Sequence, residues 1–231
     1  MTKLVLAEII LKEEFMGATI SGMQRLGKSS YALQVMYDIY QDWDKVFANM
    51  FFKIDELVSY LSSLVDKGEK VPCILWDDAG VSGSSQVYWT DKELYRYLGA
   101  LTDVIGTTTR GLLMTTPNPY GLVKTIRSYE WLIVRIIRAN SEDARLAKGY
   151  RNLMLPSGDR QLKKVFIDQY STMLPDNVYS KYIKIRRGYN RTVLDAFRTR
   201  WDEARLLNKA KLTKAANYLE GQEAELKLNQ N

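Results

Sequence analysis

The stretch Gly17-Ala18-Thr19-Ile20-Ser21-Gly22-Met23-Gln24-Arg25-Leu26-Gly27-Lys28-Ser29-Ser30 constrains this chain more than any other. Gly22, Gly27, Lys28 and Ser29 stand at the spacing G-x-x-x-x-G-K-[ST], and each position has a chemical reason. Two glycines let the backbone wrap a phosphate with its N–H groups pointing inward, and the helix that follows presents its positive end to the anion. Lys28 is then placed to meet the outer phosphates of a nucleotide, and the Ser29 hydroxyl to complete the shell of a Mg²⁺ ion. The loop follows a short apolar run, Ala18 to Ile20, and precedes Ser30 to Tyr37, whose apolar residues suit a buried helix. Strand, loop and helix is the context the motif requires. The other reading is a glycine-rich turn whose lysine is merely solvated.

A chain of 231 residues is long enough to bury a full core, as one domain with appendages or as two small ones. With one cysteine, Cys73, and no histidine, it can form no internal disulfide, no cysteine-based zinc cluster and no His-dependent active site. That usage suits a reducing interior. Leu4 to Ile10 is too short, and too interrupted by Glu8, for a signal peptide or a membrane span, so the expectation is a soluble cytoplasmic protein with no membrane partner. The net charge of +6 is unevenly placed: residues 1–140 hold 15 Lys and Arg against 16 Asp and Glu, whereas residues 141–220 hold 17 against 9. The basic half, residues 145–205 in particular, is the candidate surface for DNA, with a solvated basic face as the plain alternative.

In chain order, residues 1–16 read as an amphipathic lead-in, followed by a strand over 17–21, the loop, and a helix to about Asp42. Lys45 to Phe52 reads as a second strand and Ile54 to Leu64 as a helix. Val71-Pro72-Cys73-Ile74-Leu75-Trp76-Asp77-Asp78 is a buried strand that delivers two carboxylates at its carboxyl end. It matches the Walker B pattern, with Asp77 as the metal-side acid and Asp78 where many ATPases carry the glutamate that polarises a water. Paired acids after a strand also serve as helix N-caps. Ala79 to Ser85, made of small residues, reads as a lid or as an inert linker. A helix from Asp91 to Ile105, a strand Gly111 to Thr116, a helix ending near Arg127 and a strand Trp131 to Ile137 complete residues 1–140, read as the nucleotide-binding core. Residues 141–231 read as a basic extension packed on the same domain, with an antiparallel hairpin over 149–170 and helices over 176–220 that Gly188 breaks or bends. The tail from Gly221 reads as frayed.

With both motifs, the intervening strand and the segment Met114-Thr115-Thr116-Pro117-Asn118-Pro119 in view, residues 17–138 resemble the ASCE branch of the P-loop ATPases, of RecA or AAA+ type. More narrowly they look like the single-domain ATPases of archaeal viruses and plasmids, often compared with DnaA-like replication initiators. The resemblance implies an α/β three-layer sandwich with a mainly parallel sheet in the order 5-1-4-3-2, extended by the hairpin. It implies ATP and Mg²⁺ as cofactors, with Gly22, Met23, Gln24, Arg25, Leu26, Gly27, Lys28, Ser29 and Ser30 around the nucleotide and Ser29 and Asp77 on the metal. Lys28 and Asp78 are the catalytic candidates. Thr116 is the first choice for the polar "sensor 1" residue, with Asn118 and Thr115 behind it. Arg127, with Arg110 as runner-up, is the candidate arginine finger reaching a neighbouring subunit of a homo-oligomer; the plain alternative is a helix-end cation. Asp78 departs from the usual acid, and no clear "sensor 2" arginine stands in a helical lid.

The expectation is therefore a Mg²⁺-dependent ATPase acting on DNA, as a replication-initiator-like or motor subunit of a virus or plasmid. The rival readings are a viral genome-packaging motor, a nucleotide or small-molecule kinase, and a nucleotide-gated DNA-binding regulator that hydrolyses negligibly.

Overall fold

The computed structural model describes residues 3–81, 92–124, 126, 129, 131–140 and 143–228. It divides into two compact units, residues 1–175 and 176–231. In the first, helix α1 (Val5–Lys12) precedes strand β1 (Met16–Ser21) and helix α2 (Lys28–Tyr40). Helix α3 (Trp43–Ala48), β2 (Met50–Phe51), α4 (Ile54–Lys67), β3 (Ile74–Trp76), α5 (Lys92–Val104) and β4 (Gly111–Thr116) follow. Then come β5 (Leu132–Arg138), β6 (Ala144–Met154) and β7 (Arg160–Ser171).

These strands form one seven-stranded sheet in the order β2-β3-β4-β1-β5-β6-β7. Strands β2 to β5 run parallel, and the β6–β7 hairpin continues the sheet antiparallel from β5. This is the expected α/β architecture, with helices on both faces and a strand order that read from β5 is 5-1-4-3-2. Every residue of β1 and β4 is buried, which is why both read as unbroken runs rather than as alternating ones. Leu57, Leu61 and Leu64 of α4 and Leu98 of α5 form one core layer with Ile74, Trp76, Leu112, Met114 and Trp131. Each such side chain contributes about 1.5–3 kcal/mol by leaving water. On the other face α1 and α2 pack together, α1 reaches β7, and α2 lies along β1, β3 and β4.

The expected strand over Lys45 to Phe52 is a correction. Asp42 caps a helix by accepting from the amides of Asp44 and Lys45, so Trp43 to Ala48 coil and only Met50 and Phe51 pair with β3. A short apolar run fits either structure, and here the cap decides it. The lead-in contains a defined helix: α1 buries Leu6, Ala7 and Ile10. The hairpin is longer than expected and turns through Leu155 to Asp159, where the Leu155 amide donates to the Asp159 carbonyl at 2.8 Å and Gly158 takes a φ of 85°.

The second unit is a single helix, α6 (Asp176–Leu228), of 53 residues. Gly188 does not interrupt it: a lone glycine costs a helix only about 1 kcal/mol relative to alanine, and the helix continues through it and past Gly221. From Leu194 to Asn208 every side chain is exposed. Among the described residues no helix is long and apolar enough to cross a membrane.

Candidate nucleotide site

The candidate site lies at the carboxyl ends of the parallel strands. Residues 22–27 join β1 to α2 as a tight loop, with Gly22 at φ 153°, Arg25 at φ 63° and Gly27 at φ 88°. A Cβ on Gly22 would lie 2.8 Å from the Ile136 carbonyl oxygen, so only glycine lets β1 turn this close to β5. Gln24 and Arg25 form a turn, and among the described residues no hydrogen bond engages the backbone N–H groups of Gln24, Arg25 and Gly27. Donors gathered without a protein acceptor at a helix N-terminus are a seat for an anion. The Lys28 ammonium folds back over this loop, donating to the carbonyls of Gly22 at 3.0 Å and Met23 at 2.9 Å.

On the neighbouring strands, Asp77 follows the last residue of β3 and is fully buried. Its Oδ1 accepts from the Ser29 hydroxyl at 2.9 Å and from the Thr115 hydroxyl at 2.5 Å. The first residues of α2, the end of β3 and the end of β4 thus meet on one carboxylate oxygen. Thr115 also accepts from the Asp78 amide at 2.8 Å, while its carbonyl accepts from the Ala79 amide, so it holds the backbone just beyond Asp77. Asp78 turns through a left-handed φ of 53°, a conformation aspartate tolerates better than most residues.

Strand order and loop decide the fold. A glycine-rich loop leads from the central β1 into α2, and an acid at the end of β3 bonds the serine that follows the loop lysine, with β4 lying between the two strands. The fold is that of a P-loop NTPase. In such a site Mg²⁺ is held by one or two protein oxygens plus the substrate's phosphates, not by a dedicated cage. The residues present fit that demand: Ser29 and Asp77, whose side chains meet at 2.9 Å, would supply the oxygens.

The remaining sequence candidates are placed as follows. Thr116 bonds within its own strand-end turn, donating to the Asn118 carbonyl at 3.1 Å and accepting from the Asn118 amide. The Asn118 side chain caps the next turn by accepting from the Tyr120 amide. Of the three polar candidates at this strand end, Thr115 is therefore the one that touches Asp77. Met23, Gln24 and Arg25 are exposed on the loop, Leu26 is buried and Ser30 is half-buried in the first turn of α2. Arg110 immediately precedes β4, at the end of that strand opposite the P-loop. Arg127, and residues 82–85 of the expected lid, lie outside the described residues.

A second set of residues went unnoticed in the sequence. Tyr170 of β7 donates to the Gly27 carbonyl at 3.1 Å and packs its ring on Tyr31, centroids 4.9 Å apart. Tyr31 donates to Asp168 at 2.6 Å, and Asp168 also accepts from the amides of Val5 and Leu6 at the start of α1. Gln34 donates to the Ser171 carbonyl at 2.7 Å. The antiparallel strand thus grips the P-loop helix at Gly27, Tyr31 and Gln34, along one stripe of that helix. Burial, reinforced by the Asp168 carboxylate, pushes the Tyr31 phenol well above its usual range. Burial raises Tyr170 as well, against the opposing charge of Arg145, so both phenols keep the protons they donate. The signal available in the sequence was the alternation Phe166, Asp168, Tyr170, which puts a carboxylate on the buried face of a strand.

No family model matches the P-loop chain. It is similar to "Uncharacterized protein B-251" of Sulfolobus spindle-shape virus 1, 24% identical over 196 residues that make up 78% of this chain and 77% of that protein. Among solved structures, the N-terminal domain of zonular occludens toxin from Neisseria meningitidis aligns with a TM-score of 0.42 and 11% identity, over 72% of this chain and 97% of that one. The KaiC-like protein PH0186 of Pyrococcus horikoshii OT3 aligns with a TM-score of 0.38 and 14% identity, over 68% and 90%.

Proposed function

We propose that this chain is a Mg²⁺-dependent ATPase that acts on DNA as a replication-initiator-like or motor subunit of a virus or plasmid and assembles into a homo-oligomer. One observation carries the ATPase reading: the Ser29 hydroxyl meets the Asp77 carboxylate at 2.9 Å beside the glycine-rich loop that leads into α2. In that reading the loop amides bind the phosphates, and Lys28 leaves the Gly22 and Met23 carbonyls to neutralise them. Ser29 and Asp77 hold the metal, whose charge offsets what develops on the transferring phosphoryl group. Thr115 positions Asp77, and Asp78 orients the attacking water. Arg127 completes the neighbouring subunit's site in the oligomer.

The DNA partner rests on the excess of 17 Lys and Arg over 9 Asp and Glu in residues 141–220. The viral setting rests on the relative from a spindle-shaped virus. The deciding experiment is Lys28→Ala: ATP turnover, followed as released phosphate, is abolished while the protein melts as the parent does. Turnover that survives this change refutes the site.

A second reading, a nucleotide-gated DNA-binding regulator with negligible hydrolysis, is favoured by Asp78. Its carboxylate is one methylene shorter than glutamate and starts from a left-handed backbone turn. Single-turnover hydrolysis separates the two: the regulator converts no bound ATP on the timescale on which the motor completes a cycle.

A further inference from the structure

Strands β5, β6 and β7 gather cations on one face of the sheet. On β5 and β6, Arg135 stands directly opposite Lys148, and Lys148 stands opposite Ile167 of β7. One step along, Tyr150 lies between Ile133 and Lys164. Directly opposed residues share a sheet face, as do alternate residues of one strand, so Arg135, Lys148, Tyr150 and Lys164 lie on one surface. The carboxylate of β7, Asp168, is on the other face with Tyr31. Arg135, Lys148 and Lys164 take no part in the ion pairs Lys12–Glu8, Lys53–Glu56 and Arg151–Glu13 seen among the described residues. Like charges directly across two strands, as Arg135 and Lys148 are, are destabilising. Ile167 is 46% exposed and Leu162 55%.

We propose that this face of β5, β6 and β7 is a docking platform for a single strand of DNA, its phosphates held by Arg135, Lys148 and Lys164 and a base stacked on Tyr150. Charge complementarity selects a polyanion, and an aromatic ring among the cations selects one with unpaired bases. A pleated surface has no projecting helix or ribbon to read a duplex groove. Arg135 also pairs in register with Ser21, the residue just before the P-loop, so the platform begins beside the nucleotide. The inference rests on the reading that the basic half binds DNA, and it names which surface does so.

The test is fluorescence anisotropy of a labelled oligothymidine with the full chain over a range of salt concentrations, each variant's fold being checked by thermal melting. The combined variant Arg135→Gln, Lys148→Gln, Lys164→Gln flattens the slope of log affinity against log salt by about 2, and the exposed single change Lys164→Gln by about 0.7. Tyr150→Ala weakens binding about five- to hundredfold, whereas Tyr150→Phe retains it. Parental slopes in the charge variants, or a loss that instead follows Arg187→Gln and Arg198→Gln on α6, overturn the platform and leave the DNA reading standing. A duplex bound in preference to the single strand, with Tyr150→Ala neutral, overturns it too. Absence of binding by the parent chain sinks both readings together.

Discussion

The Tyr170 hydroxyl donates a 3.1 Å hydrogen bond to the carbonyl of Gly27, 143 residues earlier in the chain. Gly27 closes the phosphate loop in a left-handed turn, and a Cβ there would lie 2.6 Å from the Thr172 methyl carbon. The antiparallel hairpin therefore reaches across the sheet and holds the loop at its last residue before the lysine. Preorganising a binding loop in this way lowers the ordering cost that a ligand would otherwise meet.

Replacing Tyr170 by Phe keeps the ring against Tyr31 and removes only the hydroxyl that bonds Gly27. Stability falls by about 1 kcal/mol, the typical net worth of one hydrogen bond. Affinity for a fluorescent ATP analogue weakens as well, because the loop samples other shapes. Denaturant unfolding and an analogue titration check both, and an unaltered titration would show that the loop keeps its shape unaided.

Asp168 accepts from the Val5 amide, the Leu6 amide and the Tyr31 hydroxyl. Helix α1 has no side-chain cap of its own, so this distant carboxylate satisfies its first amides. Asp168→Asn exchanges one acceptor oxygen for a donor facing donors. The expected loss is about 2 kcal/mol, the range for hydrogen bonds to a charged group. In urea the midpoint should fall at an unchanged m-value, marking lost stability rather than an altered denatured state.

Thr115 and Thr116 are adjacent, yet only Thr115 bonds Asp77. If Asp77 holds the metal as proposed, Thr115→Val lowers Mg²⁺-dependent turnover about 10- to 100-fold, as expected of a residue that orients such a carboxylate. Thr116→Val has the smaller effect. Parallel Mg²⁺ titrations of the two variants rank them, and the reverse ranking would restore Thr116 to the role.

Burial raises the phenols of Tyr31 and Tyr170 above their ordinary value near 10. Below that value both are protonated whether the chain is folded or not, so their contribution is complete and independent of pH. Above it the unfolded chain releases protons that the folded chain retains, and stability falls as pH rises. Unfolding free energies measured from pH 8 to 11 should decline, with the buried Cys73 thiol and Tyr40 phenol, also raised by burial, adding to the fall. Tyr31→Phe should flatten the decline.

Much of the candidate site's geometry was legible because its residues fall in a few contiguous stretches. Gly22, Gly27, Lys28 and Ser29 are local in sequence, and Asp77 announces itself by following an apolar strand. The strand order came from the resemblance to the RecA and AAA+ branch, once the elements between the two motifs had been counted. Harder to read was Trp43 to Ala48, where the apolar run was ambiguous and the Asp42 cap settled it. The long helix was hidden by Gly188, whose weak helix propensity suggests a break that a single residue does not impose.

The amino-acid sequence by itself determined the glycine-lysine-serine loop, the acid after an apolar strand and the basic half, because each depends on residue type at fixed positions. Tertiary structure alone decided which threonine touches Asp77, which carboxylate caps α1, and that β7 grips the loop at Gly27. It also decided that Arg135 and Lys148 face one another. Those relations join residues far apart in the chain, and strand register and packing, which no local pattern encodes, bring them together.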